Sequence, residues 1–305
     1  MTRRSEHGVA LLVVLWACTL LAILVGGFAS LARVETEQAR YSLSLVRARY
    51  AAEAGVMRAI HDVYEGRKAG RIQGPEEGER WIGDGRAFPF SVGGTQVSVV
   101  VEDEAGKIDL NAADVDVLTS LFVAGGAQRN QAQRIAKEVV TWRTTAATPD
   151  TEAIRRYSDA GRPYAPRQAR FPSIEELQSV LGMDASLFAR VEPALTLWSG
   201  LEKPVPYYAP SFVLAALPGM DADTARSYVV SRRHMPVGSE VMLPGGFSGG
   251  WAPGSSVITI DSTGRVSESI VVTLRVTVRF DQLEGALDPR RPLYTILRWR
   301  NMPPA

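Results

Sequence analysis

The sequence predicts an α+β fold: a long N-terminal transmembrane and stalk helix, then an α/β domain whose antiparallel sheet is interrupted by a large all-helical insertion. Three observations carry this expectation. Val9 to Ala32 holds no charged side chain. Ala112 to Ser231 holds a series of stretches with helical spacing. On either side of that block, TQVSVVVED and IVVTLRVTVRF alternate apolar and polar residues, as half-buried strands do.

Composition narrows the function before any element is considered. The chain has 305 residues, 34 Lys+Arg against 33 Asp+Glu, and a net charge of +1, so no overall field draws it to nucleic acid. Its single cysteine, Cys18, lies in the apolar run; an internal disulfide and a thiolate metal cluster are both excluded. The imidazoles His7, His61 and His234 are widely spaced, and no HExxH, GxSxG or P-loop pattern occurs. Paired carboxylates exist, but nothing fixes the separation that a hydrolase of that kind needs. No enzyme is expected.

Residues 1–8 form a short basic leader, with Arg3 and Arg4. Residues 9–32 follow as a transmembrane helix. About 24 helical residues span roughly 36 Å, enough for the hydrocarbon core. The run exceeds the usual apolar core of an export signal, and its end, FASLARVE, is a poor cleavage site. The positive leader keeps the N-terminus on the cytoplasmic side and puts the remainder outside that membrane. Residues 33–66 continue as an amphipathic stalk, with Leu43, Val46 and Tyr50 and then Val56, Ile60 and Val63 at three-to-four-residue spacing. YAAEAG, Tyr50–Gly55, adds small residues that permit close packing, and such a stalk suits side-by-side bundling with copies or relatives.

Residues 67–111 begin the α/β domain. Gly66 to Gly94 is broken by Gly and Pro and reads as loop; TQVSVVVEDEAGKIDLN reads as strand, turn and short strand. Residues 112–233 are the insertion. Asn111 or Asp114 caps its first helix and Asp221 or Asp223 its last, while Ser173 with Glu176 makes a capping box before LQSVL. Thr144 to Pro172, polar and proline-containing, reads as a long surface connection. VLGMDASLFARVEPAL and ALPGMDADTARSYVV repeat the core GMDA around Gly182 and Gly219, with NAADVDVLTSLFVAGGAQRNQAQRIAKEVVTWR as a looser third copy.

The second copy resembles a helix-hairpin-helix module, which implies phosphate held by backbone N–H groups at the glycine turn. Arg226, Arg232 and Arg233 agree with a DNA-binding reading. Asp184, Asp221 and Asp223 oppose it, because they repel phosphate and can cap the helices themselves. Compact units for protein contacts are the stronger expectation. Residues 234–305 complete the sheet through SVITI, SESIVVTLRVTVRF and PLYTILRWR after a glycine-rich turn region. Asp103, Glu104 and Asp109, Glu152 with Asp159, and Asp221 with Asp223 are acidic groups able in principle to hold a structural calcium ion. No EF-hand pattern is present and no cofactor is required.

The leader ending in Gly8, the apolar helix and the amphipathic stalk together resemble the type IV pilin-like superfamily. The resemblance implies cleavage by a prepilin peptidase between Gly8 and Val9, and methylation of the new N-terminus. That superfamily usually carries glutamate at the fifth mature position; here the residue is Val13. A carboxylate in lipid needs a partner, in pilins the amine of the subunit above. A chain with Val13 suits a subunit with nothing above it. With the large helical insertion, this is similar to the large minor pseudopilin of type II secretion, capping the pseudopilus tip and starting its assembly. The implied partners are the other minor pseudopilins (I and J, with H), the prepilin peptidase, the inner-membrane secretion platform, and secreted cargo or the outer-membrane secretin; nucleic acid is not expected. The alternatives are a minor pilin of a type IV pilus and a membrane-anchored helix-hairpin-helix DNA-binding protein.

Overall fold

The structure, a computed structural model, describes residues 6–68, 81–146, 148, 150–232, 234, 239, 241–250, 254–282 and 290–303. Helix α1, Glu6–Lys68, runs unbroken for 63 residues. Its apolar side chains from Leu11 to Leu31 are exposed, and the helix is long and apolar enough to cross a membrane. From Ala48 onward one face is buried: Ala48, Ala52, Val56, Ala59, Ile60 and Val63 lie against a sheet.

That sheet is antiparallel, in the order β1 (Asp84–Val92), β2 (Thr95–Asp103), β7 (Val257–Arg265), β8 (Val271–Phe280) and β9 (Tyr294–Met302). Val97, Val99 and Val101 of β2, Ile258 and Ile260 of β7, and Leu274, Val276, Val278 and Phe280 of β8 form the α1-facing side. Period-two alternation puts Thr259, Thr277 and Arg275 on the opposite side.

The chain leaves the sheet at the end of β2 and returns at β7. Between them lie β3 (Ile108–Asp109), α2 (Val115–Ala124), α3 (Arg129–Arg143), α4 (Thr151–Asp159), α5 (Ala185–Val191), β4 (Leu195–Thr196), α6 (Ser211–Ala215), α7 (Ala222–Arg232) and the small hairpin β5 (Met242–Leu243) and β6 (Phe247–Ser248). The antiparallel sheet is thus interrupted by a helical insertion. The insertion has its own core, which includes Leu118, Phe122, Ile135, Val139, Leu187 and Leu214, separate from the core under α1. β3 pairs in parallel with β4, which closes the first part of the insertion on itself.

Three expectations are corrected. The segment read as loop from Gly66 to Gly94 contains β1; residues 69–80 of it lie outside the described residues. Gly93 and Gly94, at φ +54° and +79°, make the two-residue turn of a β1–β2 hairpin, a conformation that suits glycine. Thr144 to Pro172 contains α4, capped by Asp150 and anchored by buried Ala153 and Tyr157. The capping box at Ser173 does not form. Ile174–Ser179 winds as a 3₁₀ turn in which Ser173 makes no side-chain cap bond, and Glu176 accepts instead from Trp142 Nε1 at 2.8 Å.

Candidate functional site

Among the described residues, α1 presents a long run of exposed apolar side chains from Leu11 to Leu31. Gly8 and Val9 lie within its first turns, and Val13 is 59% exposed on its apolar surface. Where the helix meets the sheet, small residues set the distance. A Cβ on Gly264 would strike Ala48 O and come within 3.0 Å of Ala52 N; a Cβ on Gly55 would strike Ser262 Oγ and reach Val97 Cγ1 at 2.9 Å. Ser262 Oγ donates to Ala52 O at 2.7 Å. The small residues of YAAEAG therefore serve helix-to-sheet packing within the chain. On the β1 side, Arg58 stacks over Phe90, 4.6 Å from the ring centre.

The glycine turns of the insertion build as the sequence implies. Gly126, Gly182 and Gly219 have φ of +97°, +85° and +79°, and each precedes a helix: α3, α5 and α7. Two of these helix starts carry their own anion. Asp184 Oδ1 accepts from Leu187 N at 2.8 Å, and Asp221 Oδ1 from Thr224 N at 2.7 Å. Hydrogen bonds from Ser186 to Asp184, and from the backbone and side chain of Thr224 to Asp221, hold both carboxyls below their ordinary pKa. Asp114, not Asn111, caps α2 through Val117 N at 2.7 Å. Asn111 instead exchanges two hydrogen bonds with Phe171, at 2.7 and 3.0 Å, and pins the 171 segment to the entry of the insertion.

Of the arginines that a nucleic-acid reading would use, Arg232 is buried. Its guanidinium donates to Ala209 O at 2.6 Å, Pro206 O at 3.1 Å and Asp84 O at 2.8 Å. Arg226 is paired to Asp223, and Arg233 lies outside the described residues. The N–H groups that would cradle phosphate at α5 and α7 are already taken by Asp184 and Asp221.

Arg232 belongs to a polar junction between insertion and sheet that sequence reasoning missed. Asp103, at the end of β2, accepts from Ala105 N at 2.8 Å, Ser255 N at 2.9 Å and Arg67 Nη2 at 2.6 Å. The end of α1, the end of β2 and the approach to β7 thus meet on one carboxylate. Burial pushes Asp103 above its ordinary pKa, with Arg67 and the N–H donors opposing. Beside it, Lys107 bridges Glu104 at 2.9 Å and Glu102 at 3.1 Å. Burial opposes the Lys107 charge, but the two carboxylates outweigh it and raise its pKa. Glu104 also accepts from Thr259 Oγ1 at 2.7 Å, on the sheet face away from α1. A cavity of about 210 Å³ opens here, lined among others by Asp84, Asp103, Tyr208 and Arg232.

The acidic groups do not converge. Asp109 accepts from Asn111 N and Gly200 N, both at 2.7 Å, whereas Glu152 and Asp159 each face an arginine of α4. Among the described residues no group of three or more His, Cys, Asp or Glu is placed to hold a metal ion.

Residues 97–200, from β2 to just past β4, match the family model described as type II secretion system (T2SS), protein K. Over that segment the chain is similar to protein K. In fold it is similar to a chain of the GspK–GspI–GspJ complex crystal structure from the type 2 secretion system of enterotoxigenic Escherichia coli, at 15% identity and a TM-score of 0.51, covering 88% of this chain and 99% of that one. No curated protein matches the sequence.

Proposed function

We propose that this chain is a minor pseudopilin that caps the tip of a type II secretion pseudopilus, starts its assembly with other minor pseudopilins, and so supports protein export across the outer membrane. One observation carries the reading: a protein K-like segment is built into the same chain as a helix with an exposed apolar half. The work is binding and geometry. The apolar half of α1 inserts among the helices of neighbouring subunits in the inner membrane, and the stalk leads to the periplasmic domain. The insertion adds bulk to that domain and leaves no seat for a subunit above. Val13 fits that position, since a carboxylate in lipid is costly without a partner and the topmost subunit is offered none from above.

The related crystal structure is described as a complex of GspK, GspI and GspJ, which supports partners of the I and J type here. H-type pseudopilin, the prepilin peptidase, the secretion platform, and cargo or the secretin complete the set that the reading implies. Mass spectrometry of the protein from its native membrane tests the processing step. The expected N-terminus is a methylated Val9; retained Met1, or a cut near Ala32, sinks the reading. Co-purification of the full chain with I- and J-type pseudopilins tests the tip role, and no complex with either removes its support.

A further inference from the structure

The five-stranded sheet ends on two edges, β1 and β9, and they are unlike. β1 carries Pro89, which has no N–H, and an irregular register between Asp84 and Ala87. The proline blunts this edge against further pairing. β9, YTILRWRNM, has neither Pro nor Gly and is rich in residues that suit strands; its one interruption is the register shift opposite Thr277 and Val278.

The ladder fixes which groups of β9 face outward. Asp281 N–H donates to Leu293 O at 3.0 Å, and the register continues as Phe280↔Tyr294, Arg279↔Thr295 and Val278↔Ile296. In an antiparallel pair, inward-bonded and outward-facing residues alternate. Leu293 and Thr295 therefore direct their main-chain groups to β8, and Tyr294 and Ile296 direct theirs away from it. Among the described residues no strand meets them. The apolar side chains of β9 stand on the α1-facing side of the sheet and stay partly exposed there. Ile296 is 41% and Trp299 37% exposed, although their register partners Val278 and Val276 are fully buried. The charges are lopsided too, since Arg298 and Arg300 share one carboxylate, Glu175, at 3.1 and 3.2 Å.

We infer that β9 is an open edge that takes one added strand from a neighbouring minor pseudopilin, an extended segment bearing acidic side chains. Main-chain hydrogen bonds to Tyr294 and Ile296 supply the affinity, Ile296 and Trp299 supply apolar contact, and a carboxylate opposite Arg300 supplies selectivity. The inference rests on the pseudopilin reading above and deepens it by naming the contact.

The test titrates the full chain in detergent with each of its two proposed minor-pseudopilin partners. Ile296→Pro deletes an outward N–H and leaves the ladder to β8 in place. At wild-type thermal stability it is expected to weaken binding of one partner at least about tenfold. Arg300→Glu is expected to weaken the same binding and to flatten its salt dependence. Hydrogen exchange on the unaltered protein is the check that needs no variant: partner binding should slow exchange at Tyr294 and Ile296. Wild-type affinity in a folded Ile296→Pro, or unchanged exchange at both amides, overturns the inference while leaving the pseudopilin reading intact. Protection of these amides by self-association alone assigns the edge to a second copy and overturns it also. If the wild-type chain binds neither partner, the pseudopilin reading fails, and the inference with it.

Discussion

Arg232, the last residue of α7, donates to the main-chain oxygen of Asp84, the first residue of β1, at 2.8 Å. One guanidinium thereby spans the boundary between two separate cores, while its other contacts fix Pro206 and Ala209 within the insertion. A buried cation here is tolerated because carbonyl oxygens surround it and the Tyr228 ring lies 6.0 Å away.

Removing that cation leaves several buried carbonyls without a donor. Arg232→Met is expected to destabilise the soluble domain by about 3 kcal/mol, since each unsatisfied buried group costs about 1–3 kcal/mol. Chemical denaturation should show the loss. Limited proteolysis should show cleavage first between α6 and α7.

The close approach of α1 to β7 predicts the outcome of a single added methyl. Gly264→Ala has no room beside Ala48 O, so the helix must lift from the sheet. Overpacking of this kind costs about 1–3 kcal/mol. Gly55→Ala sets a helix-propensity gain of about 1 kcal/mol against a similar clash. Of the two, Gly264→Ala should lower the unfolding midpoint more, because it meets backbone and Gly55→Ala meets the movable Ser262 side chain.

The bridge at Lys107 predicts an asymmetry between single and double variants. Lys107→Met strands the buried Glu104 carboxylate, and loss of one partner from a buried pair costs about 3–5 kcal/mol. Lys107→Met combined with Glu104→Gln removes both charges and should recover most of that loss. A double variant no more stable than Lys107→Met alone would mean that Glu104 is stabilised chiefly by Thr259.

The aspartate caps predict a pH dependence with a definite sign. Asp184 and Asp221 have folded pKa values below their unfolded ones, so their contribution is complete above the ordinary aspartate value of about 4 and is lost as pH falls through the depressed folded values. Melting at pH 3 should loosen α5 and α7 relative to pH 6. Asn at both positions preserves the cap and should abolish that difference, while leaving stability near neutral pH little changed.

Much of this architecture was legible in the sequence, for stated physical reasons. The apolar run, the alternation in β2 and β8, and the glycines at 182 and 219 each impose one conformation locally. β1 was hidden because Pro89 reads against a strand unless the strand is known to be an edge. α4 was hidden because it buries only Ala153 and Tyr157, too few to show a period. Arg232 was misread because a basic residue at the end of a helix-hairpin-helix pattern looks solvent-facing; its three carbonyl partners come from Pro206, Ala209 and Asp84, which no local window contains. Glu176 failed as a capping residue for the same kind of reason, since Trp142 competes for it from another helix.

The unbroken course of α1 has a mechanical consequence. Its 63 residues make a rod of about 95 Å, with no proline along it. Among the described residues nothing packs on its bare first half; the other end is locked to the sheet at Gly55 and Gly264 and to the polar junction through Arg67. Thrust or torque applied at the bare end has no joint in which to dissipate. Such a load is carried to the sheet and, through the bond from Arg232 to Asp84, to the insertion.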